Sequence, residues 1–338
     1  MSTSRYSRQV AFPAIGKKGQ ARLQDSTVAV VGLGATGGSA AQFLARAGVG
    51  TLILIDRDVV EDSNLPRQIL FNNQDADEAR TKAEAAAGFL KAAGKGQKFI
   101  PRCADLNSNN VASLLGGAQL VMDGTDNFQT RYLLNDHCVA EDLPWIYMGA
   151  VGSWGMAGAV VPGGPCLRCT WPQPPESGKA PSCATEGILG AASSSMAACG
   201  SLEALKWLLG RPGDLLRGFV HLDVWSQEKR VLAPRKDPDC PCCGHRDFPW
   251  LDGRAGGAKA EILCGGDSVQ IPLMEGPLDL EKMAASLHEE CQPPQPGRTL
   301  RFQSRNCQVI LFEDGRALIR GTRNPSLAKS ILAETFGI

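Results

Sequence analysis

Three groups of residues in this 338-residue chain have types and spacings that do chemistry. Gly32, Gly34 and Gly37 fit G-x-G-x-x-G, after the apolar run TVAVVG and before an Ala-rich helical stretch. A strand-to-helix turn without side chains lets backbone N–H groups approach a phosphate at a helix N-terminus. Asp56 closes the next apolar run, TLILID, about twenty residues on, where a carboxylate accepts hydrogen bonds from ribose hydroxyls. The pattern serves NAD, FAD and ATP equally, and a tight turn without ligand is the plain alternative.

The second group follows. RDVVEDSNLPRQILF is a long insertion carrying Asn64, Arg67 and Gln68, where a Rossmann oxidoreductase usually passes quickly into its next helix. Lys82 lies in RTKAEAAA. Two cations near a phosphate loop suit a triphosphate, whose charge exceeds what N–H dipoles offset; solvated surface charge is the ordinary fate of Arg and Lys. Asp123 and Asp126 in DGTDNFQTR stand after a further apolar run, where ligands of open α/β folds bind. A carboxylate there can hold Mg²⁺ beside a triphosphate, or Asp126 can simply cap the next helix.

The third group is Cys166-Leu-Arg-Cys169 and Cys240-Pro-Cys-Cys243. Two C-x-x-C pairs complete a tetrahedral thiolate site for Zn²⁺, structural and closed to substrate. Such a clip closes a loop of roughly seventy residues. Cys242 with His245 is an alternative second pair, and disulfides are disfavoured in a reducing compartment. Cys103, Cys138, Cys199 and Cys307 read as small packing residues; Cys264 and Cys291 are undecided. Cys183 ends the Pro/Gly-rich stretch over 171–183, expected to be an exposed mobile loop. It precedes a helix whose N-terminal dipole favours a thiolate.

The elements that must position these groups alternate. A helical lead-in covers 7–25. Strands are expected over 27–32, 51–56, 98–103, 119–124 and 145–150, with helices over 35–47, 77–94 and 127–140. This is an α/β pattern: a Rossmann-like, doubly wound, largely parallel sheet. A strand over 155–162, a helix over 187–209 and the pair FVHLDVW and EKRVLAP continue it antiparallel. Residues 1–250 form one domain on this reading, 251–260 a linker, and 261–338 a small α+β domain. That domain has a helix over 278–289, a strand over 299–304, a hairpin turning at Asp314-Gly315 and a terminal helix from near Ser326.

The formal net charge is zero, with 43% hydrophobic and 21% charged residues. This is ordinary globular composition and argues against a nucleic-acid polyanion as partner. No apolar run approaches the roughly 20 residues that span a bilayer, and the N-terminus lacks a signal-peptide core. A cytoplasmic location is expected.

In order along the chain, RYSRQV, VVGLGATGG, LILIDRDVVEDSNLPRQILF, TKAEAA, DGTDNFQTRYLLND, the paired C-x-x-C and CATEGILG resemble the ThiF/MoeB/HesA family. These are adenylyltransferases that activate ubiquitin-like sulfur-carrier proteins and are related to ubiquitin-activating enzymes. The resemblance covers residues 5 to about 245. It implies ATP at the glycine loop, Asp56 on the ribose with Asp58 beside it, and Arg67 and Lys82 on phosphates. Asn64 and Gln68 fall at matching site positions. Asp126 is implied at Mg²⁺ and in catalysis, and Arg8 at the nucleotide of the second subunit of a homodimer. The resemblance favours Cys240 and Cys243 as the second zinc pair. It puts Cys183 where some members keep a cysteine that joins covalently to the activated carrier. The implied partner is a small β-grasp carrier ending in Gly-Gly, with a sulfurtransferase or cysteine desulfurase as a further one. Pro66 departs from the family; it fixes φ and removes a donor but leaves the site side chains in place. Two rival readings are a NAD/FAD-dependent oxidoreductase, which leaves Arg67, Lys82 and the cysteine pairs unexplained, and a catalytically silent binding module of the same fold.

Overall fold

The apolar runs of the first half become the strands of one sheet. A computed structural model describes residues 5–175, 183–255, 261–262, 268–273, 276–287, 292–295 and 299–336. The chain divides into two compact units, Met1–Gly256 and Gly257–Ile338.

The first unit begins with α1 (Ser7–Val10), α2 (Gly16–Asp25), β1 (Thr27–Val31), α3 (Ala35–Ala47), β2 (Thr51–Asp56), α4 (Asn73–Asp77), α5 (Lys82–Ala93) and β3 (Lys98–Cys103). It continues through α6 (Val111–Leu115), β4 (Leu120–Asp123), α7 (Phe128–Ala140), β5 (Trp145–Val151), β6 (Trp154–Val160), α8 (Leu167–Thr170), α9 (Cys183–Glu186), α10 (Gly190–Leu208), β7 (Phe219–Asp223) and β8 (Glu228–Leu232). The sheet order is β3-β2-β1-β4-β5-β6-β7-β8. The first five strands are parallel and the last three join antiparallel. Strand order reverses between β1 and β4, so a crevice opens at their carboxyl ends, where ligands of such sheets bind.

Both faces of the central parallel strands are covered, with a period of two in what each face packs against, while the edge strand β8 is exposed throughout. Val28 and Val30 of β1 pack with Leu44 of α3 and Leu90 of α5. Ala29 and Val31 pack on the other side with Leu115 of α6 and Leu134 of α7.

Three expected helices differ at their ends. The lead-in over 7–25 is two helices, broken around Pro13 and by Gly16 at φ 57°. The helix expected over 77–94 starts only at Lys82. Ala79 adopts φ 40°, Arg80 turns back to Asp75 at 3.3 Å, and the Thr81 side chain caps the helix through Glu84 N–H. The helix expected over 187–209 is α10, which starts only at Gly190; Gly187, at φ 72°, separates it from the short α9 before it.

The second unit holds β9 (Glu261–Ile262), β10 (Ser268–Pro272), α11 (Leu280–Ser286), β11 (Gln292–Gln295), β12 (Thr299–Ser304), β13 (Cys307–Phe312), β14 (Arg316–Arg320) and α12 (Pro325–Phe336). Its sheet runs β11-β12-β13-β14-β10-β9, antiparallel throughout. Leu280 of α11 and Ala328 and Ile331 of α12 pack with Val269, Leu300 and Val309 of the sheet. The hairpin turns at Asp314-Gly315, with Gly315 at φ 89°. Strands β9, β10 and β11 were not anticipated, because flanking Gly and Pro hide their alternation. Cys264, Cys291, residues 176–182 of the Pro/Gly-rich loop and 256–260 of the expected linker lie outside the described residues. No helix among the described residues is long and apolar enough to cross a membrane.

Candidate active site

The glycine loop runs from β1 into α3. Gly32 sits at φ 79°, and a Cβ there would stand 2.9 Å from the Gly124 carbonyl. A Cβ on Gly37 would collide with the Gly32 carbonyl. The loops after β1 and β4 therefore touch backbone to backbone, which only glycine allows. Gly34 is the N-cap of α3 and offers no side-chain cap, so the first N–H groups of this 13-residue helix remain as donors for an anion.

Asp56, at the end of β2, is buried and anchored by the backbone. Its Oδ2 accepts from Leu33 N–H at 2.6 Å and its Oδ1 from Asp58 N–H at 2.8 Å. Burial pushes its carboxyl up; Lys82 opposes this and Asp58 adds to it. Lys82 is the first residue of α5, and its N–H donates to the Asp58 carbonyl at 2.9 Å. Its ammonium donates to Asp58 Oδ2 at 3.1 Å. Burial works against that charge, but Asp58, then Asp56 and Asp126, outweigh it and hold Lys82 above the usual lysine value. The expected cation thus lies among three expected carboxylates.

Asn64 is buried and closes a capping box with Glu61, its Oδ1 accepting Glu61 N–H at 3.1 Å. Gln68 is buried, its amide nitrogen 3.9 Å from where a Gly34 Cβ would stand, and its Oε1 has no hydrogen-bond partner among the described residues. Arg67 is half-buried, with Nη1 donating to the Ser63 carbonyl at 2.6 Å. Pro66 is exposed in the same turn.

Asp126 is exposed after β4. It does not cap α7: Asn127 does, its Oδ1 accepting Thr130 N–H at 2.8 Å. Asp123 is fully buried, accepts from Thr125 N–H and Oγ1 at 2.9 and 2.6 Å, and faces Arg131 at 3.3 Å. It is committed to holding the loop. Arg131 and its partner Tyr147 were not singled out in the sequence, although Arg131 stands four residues after the cap.

The cysteine pairs meet far from this crevice. Val160 of β6 pairs with Trp145 at the start of β5, so Cys166 follows at the amino end of the parallel strands. The Sγ atoms of Cys166, Cys169, Cys240 and Cys243 lie within 4.8 Å of one another. Cys166 and Cys240 are 3.6 Å apart, and Cys169 and Cys243 are 3.4 Å apart. Sulfurs about 2.3 Å from one zinc in a tetrahedron stand about 3.8 Å apart, so the set fits the metal. Cys242 is outside it: its buried Sγ accepts from Asn135 Nδ2 at 3.2 Å, and His245 is exposed.

The sequence pattern of the ThiF family matches residues 6–242. The chain belongs to the ThiF family. It is 37% identical over 341 residues to the sulfur carrier protein ThiS adenylyltransferase of Bacillus subtilis, covering 99% of this chain and 100% of that one. It is 41% identical to the SAMP-activating enzyme E1 of Haloferax volcanii, over 71% of this chain and 88% of the relative. Among solved structures, E. coli MccB with ATP superposes with a TM-score of 0.62 at 22% identity, over 71% of this chain and 74% of that one; this likeness concerns the fold.

One expected site residue of this ThiF-family chain, Arg8, stands apart from the cluster around Lys82, and another, Cys183, lies within reach of the Asp126 and Arg67 charges. Arg8 is exposed on α1. Its neighbour Gln9 donates to the Ala47 carbonyl at 2.7 Å, at the far end of α3 and about 20 Å of helix from the glycine loop. Cys183 is half-buried at the start of the four-residue α9, its thiol 3.8 Å from the Ala150 carbonyl at the carboxyl end of β5. The expected thiolate is not favoured. Burial, then the Asp126 charge, push the thiol up, and Arg67 and Arg131 do not reverse this. A single helical turn has too small a dipole to compete. Cys138 and Cys307 are buried packing residues as expected, while Cys103 and Cys199 are half-buried.

Proposed function

We propose that this chain is an ATP-dependent adenylyltransferase acting on the C-terminal glycine carboxylate of a small ubiquitin-like sulfur carrier. The observation that carries the reading is the Lys82 ammonium among Asp56, Asp58 and Asp126, beside the uncapped start of α3. A cation and free N–H groups suit a polyphosphate; a backbone-anchored carboxylate suits a ribose; an exposed one suits a metal ion.

The carrier's terminal carboxylate oxygen attacks the α-phosphorus of ATP. The bond to the bridging oxygen breaks, pyrophosphate leaves and an acyl-adenylate forms. The α3 N–H groups, Lys82, Arg67, Asn64 and Gln68 bind the phosphates, and Asp56 with Asp58 orients the ribose. Asp126 is the residue to hold Mg²⁺, which would neutralise charge on the leaving pyrophosphate. Most of the acceleration comes from placement and fixed charge.

Arg8 serves the second subunit's site in a homodimer, since within its own chain it belongs to the far end of α3. Exposed Phe43 on α3 and Leu202 on α10, helices packed on each other, give apolar surface for a second copy. Zinc in the four-cysteine site is structural. Cys183 is the thiol placed for any later covalent or sulfur-transfer step, with a sulfurtransferase or cysteine desulfurase as sulfur source. Mass spectrometry of a Gly-Gly-ended carrier incubated with enzyme, Mg²⁺ and ATP tests the reading: an AMP adduct at the carrier C-terminus supports it, and an unmodified carrier with intact ATP refutes it.

A further inference from the structure

One buried side chain at the crevice is not used by the proposed chemistry. Arg131 lies one turn into α7 with its guanidinium enclosed. Nη2 donates to the Thr125 carbonyl at 2.5 Å and to the Met148 carbonyl at 3.1 Å. Nη1 donates to Tyr147 Oη at 3.1 Å, and the group lies 4.7 Å over the Tyr147 ring. Nε stands 3.3 Å from Asp123 Oδ2, close enough for charge pairing though not aligned as a hydrogen bond.

These contacts join two segments at the carboxyl end of the sheet. Thr125 immediately precedes Asp126. Met148 lies two residues before Ala150, whose carbonyl meets the Cys183 thiol. Gly149 leaves room for the fork: a Cβ there would stand 3.2 Å from both Nη atoms and 2.9 Å from Tyr147 Oη. We infer that Arg131 is a positioning residue that fixes the Asp126 carboxylate against the end of β5 through the Thr125 and Met148 carbonyls; this rests on the proposed role of Asp126 at a divalent cation. A lysine could still face Asp123, but it lacks the planar fork needed to hold both carbonyls and the phenol together.

The test is Arg131→Lys, read by Mn²⁺ affinity in the presence of a non-hydrolysable ATP analogue, using electron paramagnetic resonance on folded dimer. Affinity should fall about tenfold. In exchange assays kcat should fall about 100-fold, as for a displaced catalytic group, with the KM for ATP within about twofold and part of the rate recovered at high Mg²⁺. A role limited to stability would change the folded fraction and leave the metal dependence of folded protein unaltered. If the lysine variant does not fold, Gly149→Ala, which crowds the same fork, should give the same metal shift. Wild-type metal affinity in a folded variant overturns the inference and leaves the adenylyltransferase reading standing. Normal metal–nucleotide binding by the wild type, with no adenylation of any carrier, overturns that reading and leaves the positioning result intact. Absence of wild-type metal–nucleotide binding overturns both.

Discussion

In the proposed reaction Asp126, exposed after β4 and relieved of capping by Asn127, is the carboxylate that would meet a divalent cation. Asp126→Ala should abolish ATP–pyrophosphate exchange while circular dichroism shows a folded protein; exchange near the wild-type rate would remove Asp126 from the metal. Lys82→Ala should lower exchange by about 10²- to 10³-fold, the usual cost of losing one oriented charge at a site where charge develops. At Cys183 the sign can be worked out. Its pKa lies above the ordinary thiol value of 9.0, chiefly through burial, so the thiolate is scarce at neutral pH. Alkylation of Cys183 should be slow near pH 7, rise about tenfold per pH unit and level off only beyond pH 9. A plateau below pH 8 would mean a depressed pKa. In the sequence Asp126 stands out as a carboxylate after an apolar run, whereas Lys82 could equally be solvated surface charge; its burial and its bond to Asp58 come from the place where α5 starts. The sequence did not reveal the state of Cys183, which depends on how deeply β5 and α9 enclose it. Nor did it reveal Arg131, whose partners Thr125, Tyr147 and Met148 come from two strand ends.

The loops after β1 and β4 are built on glycine contacts rather than side chains. Gly37→Ala should destabilise the protein by about 1–3 kcal/mol, because a Cβ there meets the Gly32 carbonyl; thermal unfolding with and without ATP would show both lost stability and lost nucleotide protection. The cysteine clip joins α8 to the segment after β8, and Cys166→Ser should lower bound zinc and thermal stability together, since metal binding free energy contributes to folding. Full zinc content with an unchanged midpoint would argue against the four-cysteine assignment. At this scale the sequence was most informative in the first half: β2 and α3 match their expected extents and β1 ends one residue early, at Val31. It was least informative at helix starts. The chain over 77–81 has helical composition, yet Ala79 at φ 40° and the Thr81 cap delay α5 until Lys82. That delay is what sets the ammonium beside Asp58. The choice between Cys240 and Cys242 as a ligand likewise turned on a distant residue, Asn135, which holds the Cys242 sulfur.

The whole molecule combines a Rossmann-like unit of the ThiF family with a separate antiparallel α+β unit, and its likeness to the Bacillus subtilis relative spans both. Arg8 makes the homodimer testable. A verified heterodimer of Arg8→Ala and Asp126→Ala chains retains one complete site if Arg8 acts across the interface, so activity should partly return; no rescue would confine Arg8 to its own subunit. The most direct measurement of the central claim is ATP–pyrophosphate exchange by zinc-replete protein against a panel of β-grasp carriers ending in Gly-Gly. Exchange should require Mg²⁺ and at least one carrier, and should vanish when that carrier's terminal glycine is removed. Folded protein that binds ATP and Mg²⁺ but exchanges no pyrophosphate with any carrier, or exchanges equally without the terminal glycine, would contradict it.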